Sequence, residues 1–126
     1  MRRLFAAMAL IACAGCATVH SVDNYHGMGA ENGETPVEMV EIENTGWLLF
    51  KFIPLGSGNP LAPNRCSSKL FQNTVTLQNN LEMLEDEMER VNASRVLNLT
   101  SRTTDESVFW ILLTRRAYHT SAVLLK

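Results

Sequence analysis

The residues of this 126-residue chain with the most specific chemistry are its three cysteines and three histidines. Cys13 and Cys16 stand three apart in ALIACAGCATV, a spacing that serves redox or metal chemistry in other settings. His20, Asp23 and His26 fall at intervals of three, which on a helix would gather metal ligands on one face. No helix signal accompanies them, and Gly27 and Gly29 follow at once, so a metal site is not expected there. His119, with Tyr118 and Ser121 beside it, invites a hydrolytic reading. It lacks a matched nucleophile and an orienting acid, and a lone strand histidine is read as structural. Cys66 has no base near it in sequence. Gly56-Ser57-Gly58 lacks the third glycine and the following helix of a dinucleotide loop, and reads as a turn. The expectation is a chain without catalytic activity, metal or cofactor.

The elements that must place these residues begin with the N-terminus. Met1-Arg2-Arg3 is a short basic region, and Leu4 to Ala14 is uncharged and apolar. That run is too short to span a bilayer and suits the hydrophobic region of a signal peptide. Small residues, Ala14 and Gly15, stand immediately before Cys16, as a signal peptidase requires.

Ala14-Gly15-Cys16 resembles the end of a bacterial lipobox. The resemblance implies cleavage before Cys16, a diacylglyceryl thioether on its sulfur and acylation of the new amino group. Cys13 occupies the place where leucine is usual. Leu10-Ile11-Ala12-Cys13 forms an overlapping second candidate, so Cys13 remains the alternative lipid-bearing residue. With Cys16 lipidated, Cys66 is the one thiol left in the mature chain; with Cys13 lipidated, Cys16 and Cys66 could pair. Several acyl chains on one cysteine hold a protein stably without a transmembrane helix, where one chain anchors marginally. Ala17 stands where an aspartate is associated with inner-membrane retention, so the resemblance implies the outer membrane, facing the periplasm.

Composition agrees with a single globular domain: 46% hydrophobic and 19% charged residues are ordinary values. The net charge of −2 argues against a nucleic-acid partner, which would call for clustered Lys and Arg. The mature chain keeps all 13 acids and loses Arg2 and Arg3 of the 11 basic residues, giving a side-chain charge of −4. An acidic body gains nothing from anionic lipid, so the anchor must do the holding. Asn92-Ala93-Ser94 and Asn98-Leu99-Thr100 match the N-glycosylation pattern, but the lipobox implies a bacterial cell and makes both chance matches.

Residues 1–15 therefore read as a lipoprotein signal peptide, 16–36 as a lipidated N-terminus and flexible tether, and 37–126 as the folded domain. Val37 to Ile42 alternates as a strand, and Glu43 to Gly46 interrupts it as a turn or bulge. Trp47 to Ile53 reads as one buried strand ended by Pro54, and residues 54–69 as an irregular connection. Leu77, Leu81, Leu84, Met88 and Val91 form one stripe of an amphipathic helix. Asn73 or Thr74 caps its start, and Asn92 supplies the left-handed residue that ends it. Glu82, Glu85, Asp86, Glu87 and Glu89 read as a solvated face. Val96 to Ser101 is a strand, Arg102 to Ser107 a polar turn, and Ala117 to Leu125 the last strand. These elements predict a two-layer α+β domain, one long amphipathic helix packed on a small antiparallel sheet. Val108, Phe109, Trp110, Ile111 and Leu112 are the expected interaction patch.

Pro36 to Ile42, Gly46-Trp47-Leu48-Leu49-Phe50, Ile53-Pro54-Leu55, Gly58-Asn59-Pro60 and Ser121-Ala122-Val123 resemble a group of small, uncharacterised bacterial lipoproteins with compact α+β domains. No catalytic residue comes with that resemblance. The expected function is a lipid-anchored envelope protein that binds the membrane through its N-terminus and assembles with itself or another envelope protein. A small-ligand or metal-binding lipoprotein is the alternative.

Overall fold

The computed structural model describes residues 15–23, 35–65 and 67–126. Its elements run β1 (Ala17–Val22), β2 (Pro36–Leu49), β3 (Ile53–Gly58), β4 (Ser68–Leu70), α1 (Leu77–Val91), β5 (Arg95–Phe109) and β6 (Leu113–Leu125). The strands form one antiparallel sheet in the order β4-β3-β2-β6-β5, and β1 pairs with β2. Of the described residues, 57% lie in strands and 15% in one short helix. This overturns the expected two-layer α+β domain, in which one long helix packs on a small sheet: the protein is mostly antiparallel β-sheet.

Several local readings change for physical reasons. Ala17–Val22, assigned to the tether, pairs with residues 39 to 44 of β2. Its outer edge is covered too: the Asn64 side chain accepts from the Val19 N–H at 2.9 Å and donates to the Val19 carbonyl at 3.0 Å, as a neighbouring strand would. Glu43 to Gly46 does not turn. β2 passes straight through it, and buried Asn44 Nδ2 and Thr45 Oγ1 donate to the Thr74 and Cys16 carbonyls, hydrogen bonds that a sequence does not display. Trp47 to Ile53 folds back on itself between Leu49 and Ile53, because Phe50 and Lys51 adopt positive φ. Arg102 to Ser107 is the middle of β5, paired residue by residue with β6. It reads as a turn because it is exposed on the sheet edge and polar on both faces.

The helix begins at the Thr76 cap, whose Oγ1 accepts from the Asn79 N–H at 3.3 Å, rather than at Asn73 or Thr74. It ends at Asn92 with φ 53°, ψ 41°, the left-handed conformation expected there. Its buried residues are Asn80, Met83 and Leu84, so the inward face is rotated from the Leu77–Leu81 stripe, and those two leucines are exposed. Met83 and Leu84 pack on Val19, Val40, Ile42, Ala122 and Leu124 from β1, β2 and β6. Each such side chain contributes about 1.5–3 kcal/mol when fully buried. Buried Asn80 stitches helix to sheet, donating from Nδ2 to the Tyr118 carbonyl and to Thr120 Oγ1, both at 3.1 Å.

Two charge pairs fix the ends. At the covered end, Arg90 Nη2 donates to both oxygens of the buried Glu38 carboxylate at 2.8 Å. At the other end, Arg116 grips Asp105 through Nε and Nη2, each at 2.8 Å, and joins β6 to β5. Removing Arg90 would strand a buried carboxylate. We predict that Arg90→Ala costs about 2–3 kcal/mol in urea unfolding, and that replacing Glu38 and Arg90 together with Met recovers most of it. The Arg116 hydrogen bonds hold the Asp105 carboxyl below its usual range. The pair's contribution is therefore full above the unfolded value of about 3.9 and is lost as pH falls through the lower folded value. Both partners are partly exposed, so Asp105→Asn should cost less than about 1 kcal/mol at neutral pH. The gap to wild type should narrow in the same assay as pH falls below the unfolded value of about 3.9 and through the lower folded one.

Candidate functional site

Four strand ends and one loop meet at the end of the sheet away from Glu38. β2 and β3 are joined there by Phe50-Lys51-Phe52, and β5 and β6 by Trp110-Ile111-Leu112. The two turns are bonded to each other, the Phe50 N–H donating to the Leu112 carbonyl at 3.0 Å. The Phe50 and Phe52 rings stack with centroids 6.4 Å apart. β4 runs to the same end, where the Phe71 N–H donates to the Leu55 carbonyl.

The resulting tip is apolar and open to solvent. Trp110 is 82% exposed, Phe52 73% and Phe71 72%; Phe50, Ile53, Ile111 and Leu112 are exposed as well. Its backbone is strained. Phe50 (φ 52°), Lys51 (φ 70°), Phe71 (φ 55°) and Trp110 (φ 47°) all occupy the left-handed region. That region costs a residue other than glycine roughly 1–2 kcal/mol. A hairpin turn with positive φ at two successive residues ordinarily takes Asn-Gly or Asp-Gly there. Keeping Phe-Lys there spends stability on side chains that remain exposed, a pattern that clusters at binding sites.

The expected patch lies here. Val108, Trp110, Ile111 and Leu112 are exposed and Phe109 closes β5. Sequence reasoning missed the second half of the tip, because Trp47 to Ile53 reads as a buried strand. Lys51 is the available signal: a cation within a fully buried strand would be anomalous.

Cys16 enters the fold at the junction of β1 and β3. Its N–H donates to Thr45 Oγ1 at 3.0 Å, and its carbonyl accepts from the Thr45 N–H at 2.9 Å. Gly15 is buried, its backbone so close to Ser57 that an added Cβ would lie 2.7 Å from the Ser57 carbonyl carbon. Ala17 sits in the core, so the alternation of a strand turns the Cys16 side chain to the helix-free face. Ala14, Cys13, the rest of the signal segment, His26 and Cys66 lie outside the described residues.

The remaining candidates are not gathered. His20 is exposed on β1 opposite Glu41, and Asp23 is exposed beyond the strand. His119 is half-buried on β6, facing Glu43 on one side and Arg102 on the other. It lines a shallow depression of about 250 Å³ with Glu41, Arg102 and Ser121, while Tyr118 alternates to the opposite face. Among the described residues no three His, Cys, Asp or Glu side chains are placed to hold a metal ion. No described helix is long and apolar enough to cross a membrane. Comparison of the chain with protein families, curated proteins and solved structures finds no match.

If the tip's backbone strain is retained for its side chains, relieving it should stabilise the fold. We predict that Phe50→Asn with Lys51→Gly raises the unfolding free energy by about 1–2 kcal/mol, read as a higher thermal midpoint.

Proposed function

We propose that this chain is a lipid-anchored protein of the bacterial cell envelope, held through Cys16 at the outer membrane and facing the periplasm. Its role is protein interaction or self-assembly through the apolar tip, without catalysis. The observation that carries the contact role is the joined pair of turns, which exposes Trp110, Phe50 and Phe52 from strained backbone. Aromatic side chains of this size dominate binding energetics when a partner covers them.

The surroundings of Cys16 are compatible with the anchor. Cleavage before Cys16 removes Gly15, and acylation of the new amino group leaves one N–H, the bond Thr45 Oγ1 already accepts. The acyl carbonyl then takes the place of the Gly15 carbonyl, and the thioether projects from the helix-free face. Because Ala17 is the first residue of β1, such an anchor has no spacer. The lipid would hold the domain against the membrane with its sheet in a fixed orientation. Residues 17–22, expected in the tether, are then part of the folded domain.

The mass of the mature N-terminus tests the anchor. A chain starting at Cys16 with a diacylglyceryl and an N-acyl group is expected; a chain starting at Met1, or an unmodified Cys16, would refute it. Mild crosslinking in the native envelope tests the contact. Trp110→Asp should abolish the crosslinked species while leaving membrane attachment intact. An unchanged crosslinking pattern would remove the tip from the proposal.

A further inference from the structure

We propose that the tip of one copy seats in a groove between α1 and β5 of a second copy, so that the protein assembles head to tail. The proposal rests on reading the tip as a protein contact and is independent of the lipid anchor.

The groove is a concave feature of about 590 Å³. Leu81, Leu84 and Met88 of the helix form one wall, and Ala93, Val96 and Leu99 the other. This explains the helix's second apolar stripe. The inward face is satisfied by Met83 and Leu84, yet Leu81 remains apolar and exposed, turned toward the groove. Glu85 and Glu89 stand on the rim.

Tip and groove are complementary in three respects. One is convex and the other concave. Both are apolar, the tip with aromatic rings and the groove with aliphatic side chains. Their charges are opposite, Lys51 being exposed in the β2–β3 turn of the tip and the two glutamates lining the groove. Local complementarity of this kind is needed here, because two copies of an acidic chain otherwise repel.

The contact cannot form within one molecule. Leu99 and Trp110 are eleven residues apart on and just beyond one extended strand, a separation of roughly 35 Å. The surfaces used are different, so the interface is heterologous, and each copy keeps one free tip and one free groove. Association therefore continues along the strand direction until it closes into a ring or grows as a filament.

A charge swap tests this. Two differently tagged full-length copies are co-expressed and solubilised in detergent, and capture of one by the other is measured. Wild type should capture wild type. Lys51→Glu gives a chain whose tip and groove are both acidic, and self-capture should fall about ten-fold or more. Glu85→Lys with Glu89→Lys makes both surfaces basic and should lose self-capture equally. Mixing the two variants opposes acid to base at both contacts and should restore wild-type capture. All three positions are exposed, and circular dichroism checks that each variant retains its fold.

Absence of wild-type self-capture would overturn the proposal. So would self-capture insensitive to either variant, or failure of folded variants to recover on mixing. If Trp110→Asp removes crosslinking to another protein while copies never capture one another, the tip is a protein contact and its partner is not this chain. If instead wild type binds phosphatidylglycerol vesicles through Trp110 and copies do not associate, the tip meets a lipid surface, and the second-copy assignment falls.

Discussion

The sheet depends on a backbone crossing at Gly58. β3 and β1 share one edge of β2, lying end to end along it, and they meet where Gly58 closes β3 and Cys16-Ala17 opens β1. A Cβ at position 58 would come within 2.4 Å of both the Ala17 nitrogen and the Cys16 carbonyl carbon, and 2.7 Å from Asn44 Oδ1. No side chain can occupy that space without moving backbone. The crossing is surrounded by short polar contacts. Thr74 Oγ1 donates to the Gly58 carbonyl, and the Thr74 carbonyl accepts from Asn44 Nδ2 and Asn79 Nδ2. Ser57 Oγ donates to the Gln72 carbonyl. The same knot thus closes β3, starts β1, fixes the segment leading into α1 and sets where Cys16 emerges.

From that knot the coverage of the sheet is uneven. α1 lies over β1, β2 and β6 and is tied down by Asn80 in its first half and Arg90 in its last turn. The outer halves of β5 and β6 receive no helix and rely on main-chain pairing and the Arg116–Asp105 contact. A two-stranded ribbon is marginal alone; this one is steadied because β6 also pairs along the whole of β2. The outcome is a well-buried end carrying the helix and a thin, well-paired end carrying the apolar tip. Rigid strands present the tip, which limits the entropy lost when it is covered.

What was legible in the sequence was what local chemistry decides. The alternation from Val37 to Ile42 marks a real strand, and Asn92 takes the left-handed position because its short amide tolerates it. The apolar spacing marks a real helix, though its inward face includes Asn80, a polar residue made acceptable only by two distant partners on β6. What failed depends on tertiary pairing. β1 is held by β2 and by a loop asparagine some 45 positions away. The Arg102 to Ser107 stretch is a strand because β6 pairs with it, and its own polarity says otherwise. The tight turn at Phe50-Lys51 carries none of the residues that signal such turns. Half of the tip was therefore visible as Val108 to Leu112, and the other half was concealed as an apparent buried strand.

That conflict is the most informative feature of the molecule. A sequence under selection for stability alone would place Gly or Asn at positions 50, 51 and 110, where backbone geometry favours them, and would not leave Trp110 and Phe52 exposed. Both local rules are broken at the same end of the sheet, on two turns bonded to each other. Independent lapses would be scattered. Their coincidence supports the proposed contact role, in which one surface uses these rings at this spacing. The groove beside α1 shows the same departure in milder form, with Leu81 apolar on a face the fold does not bury. Under the proposed head-to-tail assembly, the apolar surfaces at opposite ends of β5, one bearing Lys51 and the other Glu85 and Glu89, are accounted for by one partner that carries both. A second copy is the simplest chain that does.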